Sequence, residues 1–355
     1  MLIKTEVPKA YYTTVGTVAL LEFLIGSPLN VMCVWYFARK SLSYRSAVNC
    51  LFVAISIIDL IMCSIMIIPG IAAFHYGNPG PFSNVVICNL WGVVWHTGGG
   101  MSVFLMAVLA ITRWRVMVFP LRKVRKGYIR LAIGVYTVIQ IFKSTFNYWY
   151  KGGNLYRFNK YVLGCKVNII NGHQITDIDK LCHFLLYVCE ILVPAVITVI
   201  FSLATLITLR NSKKGLQKNE EILRSYTSEE TSNASKEPRK RKLGKRTRRR
   251  HATNTVLLLV LVFVLFNMWF WAFLLGDAIF VYSGGRISYV VELWGTKYQT
   301  GHGYQMTYAT IYTHTLILNC VTNAVIYITR LQGLQGFARK KIGAALRVIT
   351  HRTCT

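Results

Sequence analysis

The chemistry open to this chain rests on a few ionisable side chains set in apolar surroundings. Asp59 stands in the run AISIIDL. An unpaired carboxylate in a packed apolar core is costly, so Asp59 has to be protonated or has to find a cation and hydrogen-bond donors. Glu190 is the acid of another apolar stretch and could anchor a cationic ligand group; pairing with His96 or another polar neighbour is the equal alternative. Cys88 and Arg113 bracket the stretch CNLWGVVWHTGGGMSVFLMAVLAITR. It holds roughly 25 residues, more than the ~20 that carry a helix across ~30 Å of hydrocarbon. One end can therefore be oxidised outside a cell while the other meets cytoplasm. Catalytic chemistry finds no support. The eight His are scattered over loops and spans, and the nine Cys fit no zinc or CxxC spacing.

Such residues have to be positioned by membrane-spanning helices. Of the 355 residues 54% are hydrophobic and 15% charged, and apolar runs of spanning length recur. Spans are predicted at about Tyr12 to Ala38, Ala47 to Phe74, Asn84 to Met117, Gly127 to Tyr150, Leu181 to Leu209, Thr253 to Val281 and Gly303 to Thr329. That makes an all-α, seven-transmembrane helix bundle. The fourth span, interrupted by Lys143, and the seventh, rich in Thr, Tyr and Asn, are the least apolar. The net charge of +28 would suggest nucleic acid in a soluble protein, but here it is confined to the segments between spans. About three quarters of the 41 Lys and Arg fall in 39–46, 113–130, 210–251 and the tail. Those segments are therefore expected in the cytoplasm, with residues 1–11 outside a plasma membrane and no nucleic acid as partner. No cleavable signal is read in the first residues, so the first span should act as its own insertion signal. Residues 210–251, ending PRKRKLGKRTRRR, are expected to form a disordered basic loop leaning on anionic lipid. In the tail, 330–355, Leu334, Phe337, Ile342, Ala345, Leu346 and Ile349 share one face, predicting an amphipathic eighth helix on the inner leaflet. A terminal Cys354 is a weak candidate for palmitoylation.

Several spacings together resemble the rhodopsin-like (class A) G-protein-coupled receptors. Asn30-Val-Met-Cys-Val34 looks like that family's Asn-x-x-Val, and Asp59 stands at its buried acid, with Pro69 where the second helix kinks. Ser102 lies eleven residues before Arg113, and Asn319-Cys-Val-Thr-Asn323-Ala-Val-Ile-Tyr327 is similar to N-[S/C]-x-x-N-P-x-x-Y. The resemblance covers nearly the whole of 12–349. It implies a sodium site at Asp59, Ser102, Asn319 and Asn323 that favours the inactive state, and oxygen ligands suit so hard a cation. A hydrogen-bonded polar layer without an ion is the alternative. No other cofactor is implied. It implies a coupling switch at Thr112, Arg113, Trp114 and Tyr327, with a packing switch at Pro194, Val103 and Phe263. Cys88 and Cys165, both on the oxidising side, are the favoured disulfide, and Cys182 is the competing partner.

The departures from the family pattern are as informative. Its Asp-Arg-Tyr reads Thr112-Arg113-Trp114, so Arg113 lacks its neighbouring acid, and Arg250 lies where a second acid would pair with it. Asn267 and Trp269 replace the sixth-helix Trp and Pro, Ala324 the seventh-helix Pro and Ser202 the fifth-helix Tyr. Together these predict a weakened inactive state with raised basal signalling.

The pocket residues are Trp95, His96, Glu190, Phe270, Trp271 and Thr313. Trp95 occupies the position of the aminergic acid and Ile317 that of the opsin lysine. The short outer N-terminus fits a small molecule or short peptide. The resulting expectation is a receptor that binds such a ligand outside, spans the bilayer and activates a heterotrimeric G protein through two bundle packings. A seven-span decoy or scaffold that binds without coupling is the runner-up. A transporter would show inverted repeats and broken spans in matching halves, and neither is read here.

Overall fold

The computed structural model describes residues 9–43, 47–75, 80–119, 125–150, 156–159, 164–167, 189, 192–227, 255–267, 302–331 and 334–338. The helices are α1 (Lys9–Ser43), α2 (Ala47–Ile65), α3 (Ile67–Ala73), α4 (Val85–Val118), α5 (Lys126–Tyr150), α6 (Val193–Thr227), α7 (Thr255–Asn267) and α8 (His302–Arg330). A further helical turn occupies 334–338. Tyr12–Arg39, Val48–Ala73, Val86–Val118 and Val193–Asn211 are each long and apolar enough to cross a membrane. The more polar α5 and α8, of 25 and 29 residues, are long enough by rise alone.

Local sequence explains where these helices start and break. Asn84 caps α4, its Oδ1 accepting from the Val86 and Ile87 N–H groups at 2.8 and 3.4 Å. The second span is two helices, α2 and α3, parted at Met66. Pro69 is the cause: it has no N–H for the Ile65 carbonyl, and its ring crowds that same carbonyl. The chain bridges the gap with Met66 N–H donating to Cys63 O at 3.3 Å and Gly70 N–H to Met66 O at 3.1 Å.

One expectation is corrected. Residues 210–227, read as the start of a disordered loop, continue α6 to Thr227. Leu, Lys, Gln and Glu there are good helix formers, and Glu220 precedes Arg224 by one favourable helical turn. The rest of that loop lies outside the described residues. Beyond the helices, β1 (Tyr156–Asn159) and β2 (Gly164–Val167) form an antiparallel hairpin with Phe158 opposite Cys165. The polar and apolar residues of YRFN alternate, as a half-buried strand requires.

The contacts link the described helices as follows. α1 lies against α2, α3 and α8; α2 against α4, α5 and α8; and α4 against α5, α6 and the hairpin. Buried residues form two clusters. One, at the Arg113 end, gathers Phe37, Phe52, Leu105, Leu109, Leu259, Phe263 and Tyr327. The other, at the Cys88 end, gathers Met62, Met66, Phe82, Trp91, Trp95 and Ile317. The outward faces are apolar too: Leu24, Val135, Val138, Phe142, Ile200 and Leu203 are all exposed. Water would penalise such a belt, whereas lipid tails accept it.

Candidate functional site

The centre of the bundle is a layer of buried polar groups. Asp59 on α2 is fully buried, and Asn323 on α8 donates its Nδ2–H to Asp59 Oδ2 at 3.0 Å. The Cys320 thiol is a second donor to the same carboxylate. Asn30 on α1 donates to Gly26 O at 3.0 Å and reaches Cys320 O at 3.4 Å, so three spans are tied at one level. Asp59 Oδ1, Asn323 Oδ1 and both amide atoms of Asn319 are buried without a protein partner. Ser102 is buried on α4, which packs on α2, but it makes no hydrogen bond to Asp59. The structure therefore joins Asp59 to Asn323 directly, while Ser102 and Asn319 are buried without a hydrogen bond to Asp59. Among the described residues no group of three or more His, Cys, Asp or Glu is arranged to hold a metal.

Cys88 and Arg113 lie on the one unbroken helix α4, about 37 Å apart by helical rise. Arg113 is half-buried and faces no carboxylate among the described residues. Its guanidinium carbon lies 6.0 Å from the centre of the Phe52 ring, and its Nε is buried and unpaired. Phe52 in turn meets Phe37 at 5.0 Å and Tyr327 at 5.1 Å, and Tyr327 meets Phe37 edge-on at 5.3 Å. The missing acid was legible in the sequence; the ring that stands in for it was not. Thr112 is buried, and Trp114 packs edge-on against Phe201 at 5.1 Å. Val103 and Phe263 are fully buried in the same cluster, with Pro194 buried as the second residue of α6, where its missing N–H costs nothing. Asn267, in place of the aromatic, turns back to donate to Phe263 O at 2.8 Å. Arg250 lies outside the described residues.

At the other end Cys88 is disulfide-bonded, and α4 packs against β2, the strand that carries Cys165. Cys182 lies outside the described residues. Trp95 stacks on Trp91 with ring centres 5.3 Å apart and planes within 7°. Of the other expected pocket residues, Glu190, Phe270 and Trp271 lie outside the described residues, as do the side chains of His96 and Thr313. The glycine run before Ser102 permits close approach: a Cβ at Gly98 would overlap Met62 Sδ, and Gly100 O accepts from Tyr136 OH at 3.4 Å. One polar pair was missed altogether. Glu22 on α1 and His314 on α8 are buried and joined Oε2 to Nδ1 at 2.9 Å. The available signal was an acid inside the first span, where hydrocarbon tolerates none unpaired.

A profile of the family described as "7 transmembrane receptor (rhodopsin family)" matches residues 29–327. The chain belongs to the rhodopsin family of seven-transmembrane receptors. Similar curated sequences include rhodopsins of the fishes Sargocentron punctatissimum, 28% identical over 36% of this chain, and Sargocentron spiniferum, 27% identical over the same share. The matches span about a third of those relatives' length, 35% in each case. Squid rhodopsin superposes with a TM-score of 0.69 at 16% identity, covering 96% of this chain and 88% of that one. At that identity the likeness speaks to the fold: an all-α seven-transmembrane bundle, hence a multi-pass membrane protein.

Proposed function

We propose that this receptor sits in the plasma membrane with its N-terminus outside, binds an extracellular small molecule or short peptide, and activates a heterotrimeric G protein. The observation that carries the reading is α4, with a disulfide-bonded Cys88 at one end and Arg113 at the other. Between them lies a polar layer in which the hydrogen bond from Asn323 to Asp59, with that from Cys320, couples the second and seventh spans. The concentration of Lys and Arg beyond the Arg113 end supports the orientation. Leu334 and Ala338 are buried, and Phe337 docks on Trp35 at 4.9 Å, which supports an eighth helix held at the inner leaflet. The packing of β2 on α4 supports Cys165 as the partner of Cys88.

The polar layer suits a sodium ion. Asp59 Oδ1, Asn319 Oδ1 and Asn323 Oδ1 are buried oxygens with no protein donor, and one belongs to a carboxylate. Asp59, Asn319 and Asn323 would hold the ion, with Ser102 on the neighbouring α4 as a further oxygen, and the ion supplies the charge that a lone carboxylate lacks there. Activation is then a shift between two packings of the bundle, with Arg113 released from Phe52 toward the G protein.

The decoy reading draws on Asn267, Ala324 and Ser202, each a changed switch residue. Basal output in cells carrying a panel of G-protein biosensors separates the two. The wild type should signal without ligand, Arg113→Ala should fall to the untransfected level, and Thr112→Asp should fall part-way as the Arg gains a neighbouring acid. Identical output from wild type and Arg113→Ala would leave the decoy standing.

A further inference from the structure

The Glu22–His314 pair takes no part in the switch just described. Glu22 and His314 are 5% and 8% exposed, and Glu22 Oε2 lies 2.9 Å from His314 Nδ1. Facing an ionised Glu22, His314 Nδ1 carries the proton and donates it to the carboxylate. Both remaining atoms, His314 Nε2 and Glu22 Oε1, are buried and have no partner among the described residues. An unmet buried acceptor is penalised, so the bare carboxylate oxygen calls for a donor. A bare buried carboxylate oxygen, with an imidazole on its partner oxygen, is the complement of an ammonium group, which brings both charge and donors.

The surroundings favour an organic cation. Among the described residues no third ligating side chain completes a metal group, whereas zinc takes three or four ligands. Ile317, one turn along α8 from His314, packs in the same cluster as the stacked Trp91 and Trp95, and Trp91 Nε1 is another buried group without a partner. An indole wall attracts cations and accepts flat apolar bodies. Trp95 stands where an acid on the third span would otherwise meet an amine; the buried carboxylate is on α1 instead. We propose that Glu22 and His314 form a binding site between the first and seventh spans for the ammonium group of a small amine ligand. This deepens the receptor reading by naming its ligand class, but its test reads binding alone.

The test uses the full chain in lipid nanodiscs, with thermal unfolding followed in 2-phenylethylamine, tryptamine and cyclohexylamine, in their N-acetyl counterparts, and in zinc chloride. At least one amine should raise Tm by about 3 °C or more at saturation, while its amide does not. Glu22→Gln, which keeps the shape and an acceptor toward His314, should weaken that amine roughly 30-fold or more. His314→Gln serves in its place if Glu22→Gln does not fold, and the amine–amide comparison on the wild type decides the matter alone if neither does. No stabilising amine, equal stabilisation by the amide, an effect that survives in a folded variant, or a response to zinc only would each overturn the proposal. Amine binding with silent biosensors would overturn coupling and leave this site standing; coupling without amine binding would do the reverse.

Discussion

Asp59 receives both of its hydrogen bonds from one helix, Asn323 and Cys320 being three residues apart on α8. Its second oxygen points at nothing that donates. Replacing it with Asn removes the charge while leaving an oxygen for Asn323, so the fold should persist with a change of about 1 kcal/mol. The wild type should unfold at a higher temperature in sodium chloride than in N-methylglucamine chloride, and Asp59→Asn should show no difference between the two salts. An equal sodium response in both proteins would remove the ion from the polar layer. The Asp59–Asn323 contact was legible because each residue sits in a motif of known depth. Glu22 was passed over because its partner lies 292 residues away and neither belongs to a motif. Phe52 was invisible for a different reason: one aromatic among many in an apolar span carries no sign that it will meet a guanidinium.

Among the elements, the second and fourth helices are matched to one another by a void of side chain. Gly98 faces Met62, and any Cβ there would overlap the sulfur. Gly98→Leu should therefore destabilise the bundle by about 1–3 kcal/mol and cut the folded yield at the cell surface. The double variant with Met62→Ala should recover most of it, because the long thioether is then gone. A Gly98→Leu variant as abundant as wild type would mean that α2 and α4 lie further apart than described. The break at Met66 could be read from Pro69 alone, since the physics is local. The extension of α6 through Thr227 could not, because a run of charges reads as solvated loop whenever composition is weighed above helix propensity. The hairpin fell between the two: its alternation spans only four residues in each strand, too few to stand out beside helices of thirty.

At the scale of the molecule, close contacts are gathered along one seam. A Cβ added at Gly16 would come within 2.6 Å of Ala73 Cβ, at Gly26 within 2.6 Å of Cys63 Sγ and 2.9 Å of Val321, and at Gly70 within 2.8 Å of Leu20. α1 is thus packed tightly on α2, α3 and α8 at these points, so movement is expected of α6 and α7. Spin labels placed on α1 and α2 should keep their separation when a G protein binds, whereas labels on α4 and α7 should move apart; a change confined to the first pair would contradict this division. The sequence announced a seven-span bundle through apolar length and charge placement, but not which spans would be locked, since glycine spacing alone does not say what it faces. The seam also makes the chain's tolerance of change lopsided. At Gly16 and Gly26 on α1 there is no room for even a methyl group, while the outer face of α5 needs only to stay greasy. Substitutions should therefore accumulate freely on the outer face of the fourth span and hardly at all at those two glycines.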